Sequence, residues 1–181
     1  MITDLYVDMD GTLAEFIPTT TLEELFEEGY FKNLKPHMTL VDAIKTIIAQ
    51  TDINVYILSA YLTDSKYALK EKNEWLDKYL SEIPRSRRIF CPCGENKANY
   101  IPGGIKPTSM MLSDYSYELL LWRESGGFGA KFMNGINGNN GTWEGVRFDY
   151  RTAPLALFRE IVLAAYKNEK ETLKDKGDVE R

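Results

Sequence analysis

Two aspartates, Asp8 and Asp10, stand two residues apart in the run Tyr6-Val7-Asp8-Met9-Asp10-Gly11-Thr12-Leu13. Side chains alternate faces along a strand, so residues i and i+2 point the same way. At the end of a strand this spacing brings both carboxylates to one small volume. Gly11 then lets the backbone turn sharply beyond them. Like charges held that close need a cation between them or a shared proton. Taken as a bare Asp-x-Asp pair, an Asx-type turn with no ligand explains the spacing as well as a phosphate or metal site does.

The longer run Asp8-Met9-Asp10-Gly11-Thr12-Leu13 resembles motif I of the haloacid dehalogenase superfamily, the DxDGT phosphotransferases. That resemblance implies that Asp8 is a nucleophile carrying an aspartyl phosphate and that Asp10 is the general acid and base. It also implies Mg2+ as cofactor, because a carboxylate is a weak nucleophile that needs positioning and charge compensation at the phosphoryl oxygens.

The elements that would position such a pair follow from the apolar periodicity. Residues 3–8 read as a buried central strand, and ligands in open α/β sheets bind beyond the carboxyl ends of strands. Residues 53–58, 88–91, 109–114 and 130–133 read as further strands, and residues 38–49, 64–80, 117–124 and 154–166 as helices. Strands alternating with helices imply a parallel sheet with right-handed crossovers. The expected fold is therefore α/β: a haloacid dehalogenase-like (Rossmann-like) three-layer parallel sheet in a single domain over residues 1–181. Residues 15–36 are too long for a plain loop, and residues 21–26 read as a capped short helix. They are expected to form a small helical cap inserted after the first strand, carrying Phe16, Phe26, Tyr30 and Phe31. Residues 134–145, rich in Gly and Asn around Trp143, read as an irregular loop, and residues 167–181 as a charged, frayed tail.

The superfamily resemblance assigns three more corners. Ser59 ends the second strand and matches the hydroxyl that holds a phosphate oxygen. Lys97 and Lys106 compete as the lysine that neutralises the nucleophile and phosphate, and Lys97, which opens a helical turn soon after the third strand, is preferred. Asp114 ends the fourth strand and matches the acidic metal ligand. Asp8, Asp10 (through its carbonyl) and Asp114 would then hold the magnesium ion with phosphate and water oxygens. Related sequences often carry two adjacent acids there, whereas this chain has Ser113-Asp114, with Glu118 a helical turn later.

Beyond the motifs, residues 8–16, the Gly29-Tyr30-Phe31 segment and Tyr56-Ile57-Leu58-Ser59-Ala60 resemble the 5'(3')-deoxyribonucleotidase branch, the cytosolic 5'-nucleotidase type C family. The resemblance implies hydrolysis of nucleoside monophosphates, with Phe16 and, less directly, Phe31 contacting the base. Stacking tolerates different bases and so does not specify one. Two rivals stay open: a phosphatase of the same fold acting on another small metabolite, and a nucleotide-binding protein without turnover.

Composition excludes other classes. Of the 181 residues, 44% are hydrophobic and 27% charged, with a net charge of −5. No basic stripe stands out for nucleic acid. No apolar run approaches the roughly 20 residues of a membrane helix, and the N-terminus lacks a signal-peptide pattern. A cytoplasmic protein with a small-molecule partner is expected. Cys91 and Cys93 are too close to build a disulfide framework and too few for a structural zinc site. The lone histidine, His37, has no triad around it.

Overall fold

The computed structural model describes residues 1–16, 19, 21–136 and 143–177, with side chains described as far as Lys167. Six strands form one sheet: β1 (Asp4–Val7), β2 (Asn54–Tyr61), β3 (Arg88–Pro92), β4 (Ser109–Ser113), β5 (Phe128–Met133) and β6 (Val146–Asp149). Their order is β3-β2-β1-β4-β5-β6, and every pairing is parallel. The helices are α1 (Met38–Gln50), α2 (Ala68–Tyr79), α3 (Ser116–Glu124) and α4 (Pro154–Gly177).

Strand alternation divides the core into two layers of packing. Leu5, Val7, Val55, Ile57, Met110 and Leu112 face one side, where Ile44 and Ile47 of α1, Trp75 and Leu76 of α2, and Leu157 and Ile161 of α4 cover them. Tyr6, Leu58 and Met111 face the other side, where Leu119 and Trp122 of α3 cover them. Helices on both faces of an all-parallel sheet are the three-layer arrangement expected from the alternating pattern. Burying a side chain such as Leu5 or Ile57 contributes about 1.5–3 kcal/mol each, so the sheet is a rigid base for whatever its C-terminal edge carries.

Several boundaries differ from the sequence expectation. β2 continues three residues past Leu58, so Ser59 lies within the strand rather than at its end. Residues 21–26 were expected as a capped helix, but only a 3-10 turn forms at Glu23–Phe26. Leu22 occupies the cap position and has no side-chain oxygen to offer the free N–H groups. β6 was not anticipated, because its four residues follow the Gly/Asn-rich stretch and include the exposed Arg147. α4 runs on to Gly177 through the segment expected to be a frayed tail. Trp143 is buried with its ring against the backbone of Gly129 and Gly145, and its indole N–H donates to the Val146 carbonyl at 3.0 Å. Residues 137–142 of the expected loop lie outside the described residues. His37 is buried against Phe132 and Tyr150, and burial pushes its pKa below the usual histidine value. Cys91 and Cys93 are both free thiols.

Candidate active site

The site begins where β1 stops. The Asp8 amide donates to the Leu112 carbonyl at 2.9 Å, which extends the β1–β4 pairing by one residue and fixes the start of the aspartate pair. The chain then turns back on itself. The amides of Thr12 and Ala14 donate to the Met9 carbonyl at 3.2 and 2.8 Å, and the Gly11 amide donates to the Ala14 carbonyl at 2.8 Å. Gly11 has φ +77°, and a Cβ there would stand 2.7 Å from the Asp114 Cγ. Glycine is thus required twice, by the backbone angle and by the close approach of Asp114.

Motif residues of β1 and β4 are stitched together at this turn. Thr12 Oγ1 donates to Asp114 Oδ1 at 3.2 Å and accepts from the Asp114 amide at 3.0 Å. Asn134, the first residue after β5, donates through Nδ2 to the Gly11 carbonyl at 2.7 Å and to Asp114 Oδ2 at 2.9 Å. Asp114 therefore has both oxygens engaged and a fixed rotamer. Burial raises its pKa to about 7, with the Asp8 charge adding to the rise and the Thr12 hydroxyl opposing it.

Lys97 enters from the 3-10 turn Lys97–Tyr100, which Asn96 caps by accepting from the Ala98 amide at 3.0 Å. Its ammonium bonds Asp8 Oδ1 at 2.6 Å and Glu118 Oε2 at 2.7 Å. Burial works against the charged lysine, but the Asp8 and Glu118 carboxylates outweigh it and hold the pKa above the ordinary value. Glu118 is itself fixed by the Ser113 hydroxyl at 3.1 Å. Ser113 thus positions the carboxylate one helical turn later. Burial first, then the Asp8 charge, raises the Glu118 pKa, and Lys97 opposes.

A second buried lysine was not anticipated. Lys72 of α2 is fully buried, and its ammonium bonds Asp10 Oδ2 and, at 3.0 Å, Ser59 Oγ. It also lies 4.9 Å from the centre of the Phe31 ring. Burial raises the Asp10 pKa, with Lys72 opposing and Asp8 reinforcing the rise. The signal was present in the periodicity: Ala68, Lys72, Trp75 and Leu76 fall on the one buried face of α2, and a cation on an apolar stripe needs an anion. The preceding residue, Glu71, is also buried and accepts from the backbone amides of Gly29 at 2.5 Å, Phe31 at 3.0 Å and Lys32 at 3.4 Å. Two consecutive residues of α2 thereby tie down the segment after the 3-10 turn and the second motif aspartate.

Asp8, Asp10, Phe16, Lys97, Asp114 and Glu118 line one open cavity of about 420 Å3, together with Asn134, Ile136, Ala60 and Tyr115. Five of the expected residues, Asp8, Asp10, Phe16, Lys97 and Asp114, thus meet. Ser59 is not among the residues that line the cavity; it is buried, with its hydroxyl bonded to Lys72. Phe31 does not line the cavity; at 4% exposure it packs in the core, edge-on to Tyr30, because Glu71 draws its backbone inward. Phe16 meets Tyr30 edge-on at 6.3 Å. Among the described residues no group of three His, Cys, Asp or Glu side chains forms a ready metal cluster. The donor set nonetheless suits Mg2+: two hard carboxylates, Asp8 and Asp114, line one cavity, and Thr12 and Asn134 donate to the Asp114 oxygens and hold them in place. Magnesium retains several waters, so few protein oxygens suffice.

The all-parallel sheet with helices on both faces defines an α/β protein with a Rossmann-like, haloacid dehalogenase-like fold. Residues 18–98 match the model of the family described as "5' nucleotidase, deoxy (Pyrimidine), cytosolic type C protein", so the family resemblance read from the sequence holds over that stretch. The match supports a nucleotidase or phosphatase of the haloacid dehalogenase type. It contains Ser59, Lys72 and Lys97, begins after Asp10 and ends before Asp114. Comparison with curated proteins gives no match. Among solved structures, "Structure of DsGPDH of Dunaliella salina" is similar with a TM-score of 0.44 and 15% identity, over 72% of this chain. This chain spans 24% of that protein's length. No helix among the described residues is long and apolar enough to cross a membrane.

Proposed function

We propose that the protein is a magnesium-dependent phosphomonoester hydrolase that removes phosphate from (deoxy)nucleoside monophosphates. The observation that carries this reading is the meeting of Asp8, Asp10, Lys97 and Asp114 in one cavity at the C-terminal edge of the sheet, with Phe16 on its wall. Asp8 attacks phosphorus in line with the ester oxygen, forming an aspartyl phosphate as the bond to the nucleoside breaks. Asp10 gives its proton to the departing oxygen, then takes one from the water that cleaves the aspartyl phosphate. Lys97 places its ammonium beside Asp8 and offsets the negative charge that collects there and on the phosphoryl oxygens. Ser59, which the resemblance assigns to a phosphate oxygen, accepts from the Lys72 ammonium through its hydroxyl. Asp8, the Asp10 carbonyl and Asp114 would hold Mg2+, which when bound supplies charge neutralisation at the phosphoryl group. Phe16 offers a face for the base, and Tyr30 supports it edge-on.

A panel of dUMP, dTMP, ribonucleoside monophosphates and sugar phosphates, assayed with and without Mg2+, tests this reading. The expected result is a clear preference in kcat/KM for nucleoside monophosphates. Equal rates across the panel would instead point to a general phosphatase, and no phosphate release from any member to a binding protein.

A further inference from the structure

Asn134 is a buried polar side chain that the reaction proposed above does not use. It directly follows β5, is 5% exposed, and lines the catalytic cavity at the same sheet edge as Asp8 after β1 and Asp114 after β4. A carboxamide has two N–H donors, and this one spends them on two separate parts of the site. Its Nδ2 donates to the Gly11 carbonyl at 2.7 Å and to Asp114 Oδ2 at 2.9 Å. The Ile136 amide donates to Oδ1 at 2.9 Å, which settles the orientation of the group: turned over, its oxygen would face two acceptors. Each bond bears on a different oxygen of the magnesium site. The Asp114 carboxyl is held by Asn134 on Oδ2 and by Thr12 on Oδ1. The Asp10 carbonyl belongs to the peptide that joins Asp10 to Gly11, whose N–H donates to the Ala14 carbonyl at 2.8 Å, and Asn134 holds the next peptide by its carbonyl. Gly11, at φ +77°, has the backbone freedom of glycine, so these two bonds are what keep the Asp10 carbonyl pointing one way.

We propose that Asn134 is the positioning residue of the cation site: by bonding the Gly11 carbonyl and Asp114 Oδ2 with one amide group, it fixes the directions of the Asp10 and Asp114 oxygens and so selects Mg2+ over the larger Ca2+. This inference rests on the reading of Asp8, the Asp10 carbonyl and Asp114 as the magnesium site. Mg2+ requires near-octahedral directions at about 2.0–2.1 Å, whereas Ca2+ accepts about six to eight oxygens in varied directions at about 2.3–2.6 Å. Oxygens whose directions are set before the ion arrives favour the smaller ion. Loosening them therefore costs Mg2+ more than Ca2+.

The test is the Kd of the full chain for Mg2+ and, separately, for Ca2+, measured by isothermal titration calorimetry at pH 8 without substrate. In Asn134→Ala the Kd for Mg2+ is expected to rise about 10- to 100-fold, the usual scale for a residue that orients a metal ligand, while that for Ca2+ changes by less than about 3-fold. Asn134→Leu lacks both donors but nearly fills the volume, and the same pattern is expected from it, which separates lost hydrogen bonds from an empty space. Thermal unfolding without metal shows which variants fold, and where packing compromises Asn134→Leu, the smaller Asn134→Ala carries the test. A residue that only held the loop together would weaken both ions alike, so equal losses for Mg2+ and Ca2+, or an unchanged Kd for Mg2+, would overturn the role of Asn134. A wild-type chain that binds neither ion, or Asp114→Asn that binds Mg2+ as before, would instead overturn the metal site on which it rests.

Discussion

At the scale of single residues the proposed reaction asks most of Asp8, whose Oδ1 meets the Lys97 ammonium at 2.6 Å. Asp8→Asn is expected to lower phosphate release from a nucleoside monophosphate on the order of a thousand-fold or more, because no neighbouring side chain replaces a covalent nucleophile. The measurement is steady-state phosphate release at saturating Mg2+. Gly11 makes a different demand. Its positive φ and the Asp114 carboxylate against its Cα leave no room for a methyl group. Gly11→Ala is expected to cost about 1–3 kcal/mol of stability from the backbone angle and to displace Asp114, which a lower Tm and a higher Mg2+ requirement would register. The convergence of Asp8, Asp10 and Asp114 on one cavity was legible in the sequence because acids at strand ends stand out in apolar runs. Lys72 and Asn134 were not, because each acts through a partner distant in sequence: Asp10 lies on β1's turn for the first, Asp114 beyond β4 for the second. Phe31 was misplaced for the same reason, since its burial depends on Glu71 some forty residues away.

Among the elements, α2 links the aspartate turn to the segment that carries Tyr30. Glu71 is the acceptor for three backbone amides of residues 29–32, and Trp75 of the same helix donates through its indole N–H to the Leu34 carbonyl at 2.8 Å. Glu71→Ala leaves those buried donors unpaired, at about 1–3 kcal/mol for each that water does not reach. The expected outcome is faster proteolysis within residues 27–35 and a higher KM, with kcat/KM for dUMP and for p-nitrophenyl phosphate falling together. Strands β1 to β5 and the four helices were readable from periodicity because those strands are apolar runs and the helices carry stripes. β6 escaped because a four-residue edge strand with an exposed Arg147 has too little periodicity to register. The short helix expected over residues 21–26 shrank to a 3-10 turn, because none of its residues is buried and it has no side-chain cap.

The whole molecule concentrates negative charge at one edge of the sheet, with Asp8, Asp10, Asp114 and Glu118 around one cavity and a net charge of −5 overall. Burial and the Asp8 charge raise the Asp114 pKa to about 7 from its ordinary value. A carboxyl whose pKa is raised on folding is bound to a proton more tightly in the native state. Its ionisation therefore withdraws stability as pH rises from the unfolded value, near 4, towards 7. Mg2+ held at Asp114 as proposed would take the ionised form and reverse that loss. The increase in Tm on adding Mg2+ is accordingly expected to be largest above pH 7 and to shrink as pH falls below it. Asp114→Asn is expected to abolish most of that increase at every pH. Differential scanning calorimetry at pH 5.5 and 8, with Mg2+ and with EDTA, checks both statements.

The central claim is that phosphate passes through a covalent bond to Asp8. Rapid acid quench of the enzyme during turnover of labelled dUMP, followed by peptide mapping, tests it most directly. The account predicts label on the peptide that contains Asp8, formed and lost at rates consistent with turnover, and none in Asp8→Asn. Turnover of dUMP with no protein-bound phosphate, or with the label on another residue, would contradict it.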